Sequence, residues 1–418
     1  MPDTITVFTN ATLVDGTGAQ PREHATVVVQ GDRIAEVTSG DQPYRGQAAD
    51  SVDCTGRTLV PGLIDAHVHA AAIDVNILEQ HRVYPPSLAA LHTARLLSQT
   101  LAQGFTTVRD AGGADRGFAD AVEEGLVHGP RLLVSGAPVS QTGGHGDPRR
   151  RTEHAAPSVY CPAVGMRSVV ADGVDEVRKA VREQLRTGAH QIKVMASGGA
   201  MSPTDELDTT QYSVDELRAA VDEATAAGTY VLAHAYSSAA VRNCIAAGVR
   251  SVEHGNLIDA ETARALAEAG TFLVPTLVTY DALAREGADY GVPAANIAKI
   301  NEAREQGLAG LRHAAEAGVR IGSGSDLLGP LQVHKARELI LKAQVLGPLG
   351  ALVAATRTNA ELLGLADELG TIEAGKAADL LVVDGDLFGD LGLLTDPAKL
   401  EVFKSGRRPP SPRPVGRR

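Results

Sequence analysis

Six times in the middle of this chain a glycine closes a helical pattern and a short apolar run follows within a few residues. The pairs are Gly104 with Phe105 to Arg109, Gly188 with Gln191 to Met195, and Gly228 with Tyr230 to His234. Gly248 with Ser251 to His254, Gly270 with Phe272 to Pro275, and Gly318 with Arg320 to Gly322 complete them. Glycine takes the left-handed conformation that ends a helix at little steric cost, so the repeat reads as helix, stop, strand. Helix starts are marked as well. Ser213-Val214-Asp215-Glu216 has capping-box spacing, and Val174, Val177, Val181 and Leu185 share one helical face. Adding Leu59 to His69 and Arg131 to Val139 gives eight strands, each separable by a helix. That is the count of an α/β chain closed into a (β/α)8 TIM barrel. An open doubly wound sheet would carry a glycine-rich phosphate loop, and none is found.

The ends have another texture. Thr6 to Val14, Ala25 to Gln30 and Arg33 to Val37 are rich in Val, Ile and Thr and are separated by turn residues at Asp15-Gly16 and Gly31-Asp32. Thr371-Ile372, Ala378 to Asp384 and Val402 to Gly406 look alike. The expected organisation is a small β-sandwich from residues 1–58 plus 371–408, enclosing a catalytic barrel over 59–370. The proline- and arginine-rich tail, 409–418, is expected to be disordered.

The 418 residues carry a formal net charge of -12, which argues against a phosphate-backbone partner. No basic-then-apolar leader is visible at the N-terminus, and no apolar run approaches the roughly 20 residues of a membrane span. Cys54, Cys161 and Cys244 are far apart and in no Cys-x-x-Cys arrangement, which fits a reducing compartment. The expectation is a cytoplasmic protein without nucleic-acid or membrane partners. A homo-oligomer is compatible with the chain, but nothing in it sets a copy number.

Catalytic groups of such barrels sit at the C-terminal ends of the strands. Those ends carry His67 and His69, Asp110, the stretch Ser140 to His145, Lys193, His234, His254 and Asp326. His67 and His69 are two apart in a strand, so both imidazoles face one side and form a starting pair for a divalent metal. The remaining histidines have no strand-end placement. Lys193 is the odd member, a lysine in the apolar run Gln191-Ile192-Lys193-Val194-Met195. Two divalent ions about 3.6 Å apart would repel by roughly 18 kcal/mol at an effective dielectric of about 20, so an anionic bridge is wanted. A neutral lysine amine that adds carbon dioxide becomes such an anion. A lysine that snorkels to the strand end, forms a Schiff base or joins an ion pair fits the same position.

Several stretches together resemble the amidohydrolase superfamily, within it the imidazolonepropionase-like and prolidase-like metal-dependent hydrolases. They are Pro61-Gly62-Leu63-Ile64-Asp65-Ala66-His67-Val68-His69, Thr106-Thr107-Val108-Arg109-Asp110, Gly144-His145-Gly146-Asp147 and Ile192-Lys193-Val194-Met195-Ala196-Ser197-Gly198-Gly199. Ala233-His234-Ala235-Tyr236, Val252-Glu253-His254-Gly255 and the run from Leu369 to Leu380 complete the set. The resemblance implies a barrel with a terminal β-sandwich and a binuclear centre, usually zinc. By that resemblance His67, His69 and Asp326 hold one metal, His234 and His254 the other, and carboxylated Lys193 bridges them. His145 and Tyr236 match positions that touch the substrate carbonyl or its terminal carboxylate. Gly324-Ser325-Asp326 departs from the Gly-Thr-Asp common in the family, and the apolar Leu327-Leu328 after it changes the pocket wall. The roles of Asp110 and His334 stay open.

The function expected is hydrolysis of an amide bond, in dipeptides or N-acyl amino acids with a free C-terminal carboxylate. Hydroxide formed on the metals would attack, and Asp326 would carry its proton to the leaving amine. A xenobiotic carbamate, urea, aromatic amide or cyclic imidazolone-type amide is the alternative substrate class. A metal-free barrel kept as a scaffold is the remote one, since all six ligand positions are filled.

Overall fold

The computed structural model describes residues 4–40, 50–77, 79–154, 164–165, 167–202 and 204–410. Cys161 and most of the expected disordered tail lie outside these residues.

Both ends of the chain meet in one seven-stranded sheet. Its order is Leu400–Phe403, Leu380–Asp384, Arg57–Pro61, Ile5–Leu13, Arg22–Gln30 and Arg33–Ser39, with Asp50–Asp53 alongside Ile5–Leu13. The two-residue period of a strand sorts its side chains between two cores. Leu59, Leu380 and Val382 pack with Phe8 and Phe403, whose rings meet edge to face at 4.8 Å. Val60, Leu381 and Val383 turn the other way, onto Leu97, Leu101 and Phe105 of the barrel.

The run Leu59 to His69, read from sequence as one strand, is two. Arg57–Pro61 belongs to the terminal sheet and Leu63–Val68 is the first barrel strand. They part at Gly62, where a Cβ would collide with the Thr106 side chain. The first barrel strand pairs in parallel with Phe105–Asp110, and that strand with Arg131–Leu133. Ile192–Met195, Val231–Ser237, Ser251–Leu257 and Phe272–Val274 continue the parallel ring. The third strand is broken from Val134 to Pro138, and its second piece, Val139–Ser140, pairs with Val194.

The eighth strand closes the ring. Leu273 bridges Ile321 in parallel, Ala66 N–H donates to Ser323 O at 2.8 Å, and Asp326 N–H donates to His67 O at 2.8 Å. The expected glycine stops are present: Gly248 and Gly270 cap their helices at φ +86° and +65°. Ser213 and Glu216 form the reciprocal capping box, worth about 1 kcal/mol.

One difference concerns hydrophobicity. The helical stretch Arg337–Leu363 reaches a mean hydropathy of 1.6 over an 18-residue window, long and apolar enough by composition to cross a membrane. It is broken at Gly347, whose φ is +69°, and Pro348 follows. It also bears the buried pair Glu338 and Lys342, which bonds Pro275 O of the loop after the seventh strand and Val278 N–H in the first turn of the helix that follows.

Candidate metal centre

His67, on the first barrel strand, is 1% exposed. Its Nδ1 lies 2.7 Å from Glu253 Oε2, so the carboxylate accepts a hydrogen bond from Nδ1–H, which keeps the proton there and leaves Nε2 bare. Glu253 is fixed in turn by Arg109 at 2.8 Å and Ser251 Oγ at 2.6 Å, all fully buried inside the barrel. His69 uses Nδ1 on the Gly112 carbonyl at 2.8 Å and points Nε2 at Asp326 Oδ1, 3.1 Å away. His67 Nε2 is 3.5 Å from the same oxygen. Donor atoms of His67, His69 and Asp326 all lie within 4.8 Å of one another, the compact group a divalent ion needs.

Burial should raise the Asp326 carboxyl pKa, but His67 and His69 overcome it and hold the group well below the usual carboxylate range. Burial opposes a proton on His69, yet its contact with Asp326 lifts its pKa. Burial and Lys193 keep His67 neutral, its pKa well below the usual value.

His234 and His254 line the same cavity of about 70 Å³, their ring centroids 4.5 Å apart. His254 lies 5.1 Å from His67, ring to ring. His234 Nε2 meets the Gly198 carbonyl at 2.9 Å, and His254 Nδ1 meets Thr276 Oγ1 at 2.7 Å. Burial lowers the His254 pKa to about 3 and drives that of His234 well down too. His254 and Asp326 are both left-handed, at φ +75° and +52°. Such non-glycine conformations cost about 1–3 kcal/mol each and cluster where a site imposes them. At His254 the turn defeats strand alternation, so Glu253 and His254, adjacent in sequence, both reach the barrel interior.

Lys193 is 2% exposed and faces this cavity. No hydrogen bond or ion pair reaches its amine among the described residues, and burial lowers its pKa to about 8. The structure therefore brings His67, His69, Lys193, His234, His254 and Asp326 to one place, with the first two and Asp326 as the tight group. His145 and Tyr236 join them. The His145 ring stacks on His234 at 4.2 Å, and its buried Nδ1 has no partner among the described residues. Tyr236 stacks on His254 at 5.1 Å. Through Ile77, His145, Met195 and Met201 the cavity meets a second chamber of about 690 Å³.

The two open residues find places outside the ring of ligands. Asp110 accepts the amides of Ala70 and Gly112 at 2.7 and 2.8 Å and so shapes the loop whose carbonyl orients His69. His334 pairs with Glu286 at 3.0 Å on the rim, away from the cavity. The hydroxyl of Ser325, the departure from Gly-Thr-Asp, bonds Asp65 at 2.5 Å, and buried Lys335 lies 3.7 Å from that carboxylate. Sequence reading assigned no role to Asp65, Arg109, Glu253, Thr276, Tyr280 or Lys335. The first three stood inside the quoted motifs, and a charged residue in a buried strand was the available signal.

The donor set fits a divalent cation: imidazoles oriented by hydrogen bonds, an ionised carboxylate, and a buried amine with no ion pair among the described residues. A closed barrel with such a set at the C-terminal mouth defines a metal-dependent hydrolase. The chain belongs to the Amidohydrolase family, whose model matches residues 58–409. Ochratoxinase of Aspergillus niger is 30% identical over 423 residues, covering 96% of this chain and 86% of that protein. A prolidase solved with N-methylphosphonate-L-proline superposes with a TM-score of 0.92 at 46% identity, covering 97% of this chain and 99% of the other. A Xaa-Pro dipeptidase solved with methionine in its active site gives a TM-score of 0.86 at 29% identity, covering 96% and 99%.

Proposed function

We propose that this hydrolase cleaves the amide bond of dipeptides or N-acyl amino acids with a free C-terminal carboxylate. One observation bears most of the weight: four strand-end imidazoles, one carboxylate and a buried lysine with no partner among the described residues surround a single small cavity. His67, His69 and Asp326 would hold one divalent ion and His234 with His254 a second, and zinc suits the imidazole-rich set. Bound there, the ions would supply an acidified water and positive charge beside the carbonyl oxygen.

The protein's own groups do the rest. Lys193, whose pKa burial lowers to about 8, has a minor neutral fraction near neutral pH, far larger than that of an ordinary lysine, and this neutral amine would add carbon dioxide and shed a proton to become an anionic carbamate facing the cavity. Asp326, kept ionised by its two histidines, accepts the proton of the attacking water and returns it to the leaving amine. His145 Nδ1, without a partner among the described residues, and the Tyr236 phenol are available to substrate oxygens. The proline analogue and the methionine held by the two similar structures support a small ligand with an amino-acid carboxylate.

A library of dipeptides and N-acyl amino acids, run on protein prepared with zinc and bicarbonate, tests the reading. Substrates with a free carboxylate should exceed their C-terminal amides by at least about 100-fold in kcat/KM. Equal rates for the two would refute it.

A further inference from the structure

We propose that Tyr280 is a positioning residue that fixes the direction of the Tyr236 hydroxyl, so that Tyr236 donates its hydrogen bond to an oxygen of the bound substrate. The proposal rests on the reading above that the cavity holds an amide substrate. Tyr280 stands on the helix Leu277–Glu286, just past the seventh barrel strand, and is 2% exposed. Its phenol oxygen lies 2.7 Å from that of Tyr236 and 3.1 Å from His254 Nδ1.

Counting protons along this chain sets its direction. A neutral imidazole has one N–H. With His254 Nε2 bare toward the cavity, the proton sits on Nδ1 and is offered to Thr276 Oγ1 at 2.7 Å and to Tyr280. The Tyr280 oxygen accepts there, so its own hydrogen cannot return to the imidazole. It goes to the Tyr236 oxygen. Tyr236 then spends an acceptor site on Tyr280 and keeps its hydrogen, for which no protein acceptor remains among the described residues. The ring cannot turn away, because it is 3% exposed and stacked on His254 with planes 12° apart. A buried donor without a partner is unfavourable until a ligand oxygen supplies one. Remove the Tyr280 hydroxyl and the Tyr236 hydrogen is free to rotate into the vacated position.

A double-mutant cycle of Tyr236→Phe and Tyr280→Phe tests this. Loss of the Tyr236 donor should lower kcat/KM about 100-fold, and loss of Tyr280 about 10-fold in the same kinetic parameter. Because Tyr280 acts through Tyr236, the double variant should match Tyr236→Phe within about twofold. Metal content and melting temperature, measured on all four proteins, separate misfolding from lost direction, and the phosphonate analogue of proline gives a binding cycle with the same expectation. A double variant near the product of the two effects, about 1,000-fold down, overturns the relay while leaving the hydrolase reading intact. A wild-type protein that neither cleaves an amide nor binds the analogue overturns both.

Discussion

At the scale of single residues, Asp326 has two duties, as donor atom and as base, and asparagine separates them. Asp326→Asn keeps an oxygen in the same place but cannot take a proton. Turnover should fall by about 10³-fold or more while most of the metal stays, read by steady-state kinetics beside elemental analysis. Glu253 is the complementary case. It touches no substrate, yet it accepts the hydrogen bond from His67 Nδ1–H at 2.7 Å. In Glu253→Gln an amide N–H can face that nitrogen and push the proton to Nε2, the atom the metal needs. Metal affinity should drop about 10–100-fold in a chelator competition, and unchanged affinity would end the argument. Thermal stability should fall too, because Arg109 loses its buried partner, a change of about 3–5 kcal/mol when such a pair is broken. His67, His69, Lys193, His234, His254 and Asp326 were legible in sequence because metal-competent residues recurred at strand ends. The Arg109–Glu253 pair was not, since its partners meet across the barrel, 144 positions apart.

At the scale of elements, the glycine stops made the strands legible, and other glycines set how closely the elements approach. Gly324 lets the eighth strand pass the first, where a Cβ would lie 2.5 Å from His67 Cβ. Gly199, after the lysine strand, sits against the His145 ring, which an added Cβ would strike. Gly199→Ala should therefore move His145 by a fraction of an ångström or more. It should lower kcat/KM about 10–100-fold with metal content and melting temperature near wild type. Wild-type kinetics would show that His145 has no part in binding or turnover. The split of the third strand and the break at Gly62 were marked locally only by Ser135-Gly136-Ala137-Pro138 and Pro61-Gly62, turn residues that the strand reading ran through. Pairing partners decided them, and local periodicity carries no information about partners.

At the scale of the whole molecule, the terminal sheet was visible as texture at both ends, but not its two-faced packing, which depends on the barrel beneath it. The net electrostatic result of closing the barrel is that His67, His145, His234 and His254 are buried and neutral, their pKa values lowered chiefly by burial. In the unfolded chain each would titrate near 6.5. Below that pH the unfolded state binds protons that the folded state refuses. Their contribution to stability is thus complete above about pH 6.5 and is lost as pH falls toward the lowered folded values, by up to about 1.4 kcal/mol per pH unit for each group. His69 has the opposite sign, since Asp326 raises its pKa and favours the folded state in acid. The His69 contribution changes above about pH 6.5 and is complete below it, so the four lowered groups are not offset there and lose up to about 1 kcal/mol each, roughly 4 kcal/mol together, between pH 6.5 and 5.5. For a chain of this length that is a fall of about 5 °C in the melting temperature of metal-free protein. Added zinc should raise the melting temperature at each pH by mass action, since it binds the folded state. A metal-free protein whose melting temperature is flat from pH 7.5 to 5.5 would show that these imidazoles are already protonated or exposed, and that the cavity is not the preformed set of neutral ligands described above.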